Sequence, residues 1–118
     1  MARILVAEDE ASVRAFVVRA LQHGGHEVRE ASDGAAALEL LGTEAFDLLL
    51  TDIVMPVMDG IALALAAARD HPGLRILMMT GFAEEKRRAH NLHALIHDVI
   101  SKPFSLDQLV AAVDRALA

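Results

Sequence analysis

The segment Phe46-Asp47-Leu48-Leu49-Leu50-Thr51-Asp52 constrains the fold more than any other stretch of this chain. Leu48 to Leu50 form a short apolar run without helical period, and Ile53-Val54-Met55-Pro56-Val57-Met58-Asp59-Gly60, which follows, has the chemistry of a loop. A run apolar on both faces predicts a strand buried on both sides of a parallel sheet. Asp52 then stands where that strand leaves the sheet, beside the crevice in which open α/β sheets bind ligands. Taken alone, Asp52 reads equally well as a residue that starts a turn. A second acidic pair at an equivalent place, Glu8-Asp9, shifts the balance.

The rest of the chain repeats the pattern. Arg3 to Ala7 predicts a first strand with Glu8-Asp9-Glu10 at its exit, and Val13, Phe16, Val17, Ala20 and Leu21 then fall on one helical stripe. Gly24-Gly25 supplies a left-handed helix stop. His26 to Ala31 suits a more exposed strand near the sheet edge, and Asp33-Gly34 caps a second helix closed by Gly42. After the central strand, Gly60 to Arg69 predicts a third helix with Ala62, Leu63, Leu65 and Ala66 as its core packing. Leu74 to Met79 predicts a fourth strand with Thr80-Gly81 at its exit, and Glu84 to His93 a polar fourth helix. Ile96 to Ile100 is a weaker fifth strand leading to Ser101-Lys102-Pro103-Phe104. A last helix, capped by Ser105, carries Leu106, Leu109, Val110, Val113 and Leu117 on one face.

Five strands alternating with five helices predict a flavodoxin-like, doubly wound parallel sheet in the order 2-1-3-4-5 with right-handed crossovers. Residues 1–118 form one domain on this reading, with no linker or output module. Net charge of −6 argues against nucleic acid as a direct partner, and the absence of cysteine excludes thiol chemistry. No run approaches the roughly 18 apolar residues of a membrane span. Met1-Ala2-Arg3 leads straight into a strand pattern rather than a signal peptide, so a cytoplasmic protein without membrane partners is expected.

In the expected strand order, Glu8-Asp9, Asp52, Thr80 and Lys102 stand at neighbouring strand exits. Crowded carboxylates repel and need a cation, and an all-oxygen set of this kind suits Mg²⁺, with Mn²⁺ as a substitute. A carboxylate beside such an ion and a lysine is arranged as a nucleophile toward phosphorus. Lys102 and the Thr80 hydroxyl would then meet phosphoryl oxygens.

The whole chain resembles a response-regulator receiver domain of the chemotaxis type. The motifs are Ala7-Glu8-Asp9-Glu10, Thr51-Asp52-Ile53-Val54-Met55-Pro56 with Met58-Asp59-Gly60, Thr80-Gly81, and Ser101-Lys102-Pro103-Phe104. The resemblance implies a two-component regulator rather than an enzyme, catalysing only its own phosphorylation and dephosphorylation. Asp52 would accept phosphate from a histidine kinase or a histidine phosphotransfer protein. Asp9 would bind Mg²⁺ directly, Glu8 through water, and the Val54 carbonyl would complete the protein ligands. A cis Lys102-Pro103 peptide is implied as well. A narrower resemblance, carried by Met1 to Leu5, Leu48 to Pro56 and Thr80-Gly81-Phe82-Ala83, is to CpdR-type single-domain receivers. Those act as adaptors for a protease complex, which implies a downstream protein target of that kind. A phosphate sink without an output partner is the alternative.

The chain departs from the family pattern three residues before the lysine, where most receivers carry Tyr or Phe and this one has Val99. An inward ring rotation is therefore not expected, although Thr80 can still move. Val54 and Phe82 border the approach of an attacking water and are both apolar, the Phe82 ring being readable either as a shield or as an outward partner contact. Lys86-Arg87-Arg88 reads as solvated charge, or as a docking point for an acidic partner on the face made by the fourth helix and its neighbours. His90, His93 and His97 lack a carboxylate at ligand spacing and read as a solvated face. An Mg²⁺-dependent haloacid-dehalogenase-type phosphatase would need an acid at Val54. An FMN carrier would need a hydroxyl-rich phosphate loop and flanking aromatics.

Overall fold

The computed structural model describes residues 2–118; Met1, where the reading of the amino terminus began, lies outside them. Five strands, β1 (Arg3–Ala7), β2 (Glu27–Ala31), β3 (Leu48–Asp52), β4 (Arg75–Thr80) and β5 (Asp98–Ser101), form one parallel sheet in the order β2-β1-β3-β4-β5. The connecting helices are α1 (Ala11–His23), α2 (Gly34–Thr43), α3 (Gly60–Asp70), α4 (Ala83–His90) and α5 (Leu106–Leu117).

Alternation along the strands builds two cores. Ile4, Val6, Leu48, Leu50, Leu77 and Met79 face α1 and α5. Leu5, Ala7, Leu49, Ile76 and Met78 face α2, α3 and Ala89 of α4. The register pairs Ile4 with Leu48 and Leu5 with Leu49, so side chains of like direction stack across the sheet. All five residues of β3 are buried, as expected of a strand covered on both faces. Each large side chain so buried contributes about 1.5–3 kcal/mol from apolar area.

Two glycines let backbone pass close to backbone near the strand exits. A Cβ on Gly60 would lie 2.0 Å from the Asp52 carbonyl oxygen, and the Gly60 N–H donates to the Ile53 carbonyl at 2.7 Å. A Cβ on Gly34 would lie 2.3 Å from the Met58 carbonyl oxygen. The starts of α2 and α3 are thereby drawn in beside the end of β3. Asp33 and Asp59 cap these helices by accepting from the Ala36 and Ala62 N–H groups.

Several expected faces and boundaries differ. In α3 the buried residues are Gly60, Leu63, Ala64 and Ala67, while Leu65 and Ala62 are exposed. An Ala/Leu helix apolar nearly all round carries no phase, so its buried arc is chosen by contact with the sheet. On α1 and α5 the apolar arc is wider than the sheet covers, leaving Phe16 43% exposed and Leu106 and Val110 exposed as well. Ala112 and Ala116 take the inner positions on α5. Gly42 lies inside α2 rather than closing it. The α4 helix stops at His90, so His93 lies outside it; the chain continues through turns in which Leu92 donates to the Ala89 carbonyl and Leu95 to the Leu92 carbonyl. The left-handed residue after α1 is Gly25, at φ 90°.

Candidate functional site

Among the described residues the buried polar side chains are Glu8, Thr51, Asp52 and Thr80. All four sit at carboxyl ends of strands, and Glu8, Asp52 and Thr80 had been singled out from sequence. Burying a carboxylate is costly unless something compensates it, and here the compensation is a lysine from β5's exit. Lys102 Nζ donates to Glu8 Oε1 at 2.6 Å and lies 3.2 Å from Asp52 Oδ2. The other oxygens are taken by backbone: Asp52 Oδ1 accepts from the Ile53 N–H at 2.9 Å and Glu8 Oε2 from the Glu10 N–H at 3.1 Å. Asp9 is exposed at the rim, and carboxylate oxygens of Glu8, Asp9 and Asp52 lie within 4.8 Å of one another.

Burial pushes the Glu8 and Asp52 carboxyls above their usual range, against the lowering effect of Lys102. Burial would lower Lys102 too, but its hydrogen bond to Glu8 and the charges of Asp52 and Glu8 outweigh that and raise it. Three carboxylates against one ammonium leave a net negative oxygen cluster, which fits a hard divalent cation.

Thr80 is buried and its Oγ1 accepts from the Phe82 N–H at 3.2 Å, so the hydroxyl is engaged locally. Phe82 is 60% exposed; with Val54, Gly81, Glu84 and Glu85 it lines an open depression beside the site. Val99 is buried in the core that also holds Met78 of β4 and Ala89 of α4, and the Lys102-Pro103 peptide is cis.

The basic residues of α4 are held by the protein itself. Lys86 Nζ donates to Ser101 Oγ at 3.1 Å, Arg87 pairs with Glu84 at 2.9 Å, and Arg88 pairs with Glu85 and lies 3.7 Å from Asp59 Oδ2. His90, His93 and His97 are all exposed, and the carboxylate group above is the cluster of metal-ligating type found among the described residues.

Arg14 was not legible. Its Nη1 donates to the Glu8 carbonyl at 2.8 Å and its Nε to Glu30 at 3.0 Å, joining α1, the exit of β1 and β2. Contacts between a helix arginine and a backbone carbonyl have no motif; the one available signal is Arg14's place one turn into α1, on the side of Glu8.

A doubly wound α/β sheet with a lysine-bridged acidic pocket at its strand exits defines a signalling domain of the receiver class. The chain belongs to the response regulator receiver domain family, whose model matches residues 4–114. It is 45% identical over 117 residues to the response regulator receiver protein CpdR of Brucella abortus, covering 99% of this chain and 98% of that protein. It is 42% identical over 120 residues to the sensor kinase CckA of the same organism, covering 98% of this chain and 12% of the kinase. The solved structure of response regulator protein TrrA from Thermotoga maritima in complex with Mg²⁺-BeF superposes with a TM-score of 0.89 at 28% identity, covering 99% of this chain and 100% of that one. Among the described residues no helix is long and apolar enough to cross a membrane.

Proposed function

We propose that this protein is a stand-alone response regulator whose Asp52 accepts a phosphoryl group from a phosphohistidine. The observation that carries this reading is Lys102 Nζ bridging Glu8 and Asp52 at 2.6 and 3.2 Å, in a pocket where both carboxylates are buried. An Asp52 oxygen attacks phosphorus, the P–N bond breaks, and its electron pair stays on the imidazole. Lys102 then exchanges a carboxylate contact for a phosphoryl oxygen, and Thr80 releases the Phe82 N–H to offer its hydroxyl to another. Asp9 and Asp52, with the Val54 carbonyl, would hold Mg²⁺ or Mn²⁺. When bound, the ion neutralises charge on the transferring group. Both Glu8 oxygens already have partners, which suits a contact to the ion through water.

Intact-mass spectrometry tests this. Incubation with a small phosphodonor is expected to add one phosphoryl group only when Mg²⁺ or Mn²⁺ is present, and none to Asp52→Ala. Labelling that persists in the variant would mean that another group is the acceptor.

The finer reading is a cytoplasmic single-domain adaptor, phosphorylated by a histidine kinase or phosphotransfer protein and acting on a protease complex. Near end-to-end similarity to CpdR supports it, and the kinase similarity supports a phosphorelay context. A beryllofluoride-dependent change in affinity for a protease unfoldase is the expected result. Equal affinity in both states would favour the phosphate sink.

A further inference from the structure

Beyond Ala7 the chain leaves the β1 ladder, and two contacts govern how it does so. The Glu8 N–H still donates to the Ala31 carbonyl of β2 at 3.1 Å. The Glu8 carbonyl accepts from Arg14 Nη1 at 2.8 Å. Arg14 is itself oriented by Glu30 on β2, through Nε at 3.0 Å. The helix that follows has no side-chain cap, because its N-cap residue Glu10 makes none.

The peptide whose carbonyl Arg14 holds is the one that carries Asp9, and Asp9 is exposed at the rim, so backbone sets its aim. We infer that Arg14 is a positioning residue for the cation site: by fixing the Glu8–Asp9 peptide plane it sets where the Asp9 carboxylate stands relative to Asp52. This inference rests on the proposal that Asp9 and Asp52 hold the ion.

The sign of the effect separates positioning from simple charge. Arg14 is a cation close to a cation site, so as a charge alone it repels Mg²⁺, and removing it would tighten binding. As a positioner it is needed, and removing it loosens binding. Outer partners of metal ligands typically matter by about 10–100-fold in affinity. Lysine keeps the charge but lacks the planar fork that reaches the Glu8 carbonyl and Glu30 together.

The experiment is calorimetric titration of Mg²⁺ into wild type, Arg14→Gln, Arg14→Lys and Asp9→Asn, well below each protein's unfolding temperature, with thermal unfolding recorded beside it. Asp9→Asn is expected to lose most Mg²⁺ affinity, and both Arg14 variants to weaken by about tenfold. An Arg14→Gln that binds Mg²⁺ as tightly as wild type or more so, or an Arg14→Lys with wild-type affinity, overturns the inference alone, whatever either does to stability. Wild-type affinity in Asp9→Asn would overturn the ligand assignment and the inference with it. Should Arg14→Gln not fold, Arg14→Lys decides.

Discussion

Burial and ionisation compete at Asp52, a residue 6% exposed that, on the proposed function, must be charged to attack phosphorus. Its folded pKa is raised above 3.8, chiefly by burial. The stability this group contributes is therefore fully present below about pH 4 and is lost as pH rises through the folded pKa. At neutral pH Asp52→Asn should raise the melting temperature of metal-free protein by a few degrees, and the gain should shrink as pH falls toward 4, as read by calorimetry. A melting temperature unchanged or lowered at neutral pH would contradict the account. Mg²⁺ should raise the melting temperature of wild type more than that of the variant, since a ligand stabilises the state that binds it.

Lifetime is also a residue-scale property. Hydrolysis requires a water in line behind phosphorus, and Val54 and Phe82, flanking an open depression, offer it no hydrogen bond. With Phe82 60% exposed, missing polar orientation rather than shielding is expected to slow hydrolysis. Val54→Asn with Phe82→Glu should shorten the phosphorylated lifetime in Mg²⁺ at least several-fold, followed by phosphoprotein decay. Decay at the wild-type rate in the double variant would discard the idea. The gathering of Glu8, Asp52, Thr80 and Lys102 was legible because residue type and strand exit suffice to place them together. Arg14's contact and Phe82's exposure were not, since both depend on how separate elements pack.

Among the elements, β3 and α4 differ most. Apolar runs and turn residues announced β3 to within its observed bounds. In α3 and α4 the sequence was less informative: one is apolar nearly all round, and the other is mostly polar with a single buried side chain, Ala89. The α4 helix is tied to the β3–α3 loop through Arg88 and Asp59 and to β5's exit through Lys86 and Ser101. Thr80 is joined to the start of that helix, its Oγ1 accepting from the Phe82 N–H. Since Val99 supplies no ring, the structural response should be confined to residues 80–95, without the aromatic rotation of other receivers. Amide spectra of metal-free and beryllofluoride-bound protein would show this as large shifts there. Shifts confined to α1 and α5 would contradict it.

At the scale of the whole molecule, the two cores meet across a sheet whose middle strand is covered on both faces, while α4 adds a single buried side chain, Ala89, to one of them. Amide hydrogen exchange should therefore protect β3 and its neighbours β1 and β4 at close to the global unfolding free energy, and release α4 at a small fraction of it. If α4 exchanged as slowly as β3, the molecule would be a single cooperative block. On the expected gradient, the mark is written in the segment that opens last and read from the segment that opens first. A phosphoryl group then has no need to disturb the durable half of the protein. Roughly 5.5 kcal/mol of preference carries a two-state equilibrium from one extreme to the other, and with α4 so lightly anchored the message can be erased and rewritten while the page beneath it stays intact.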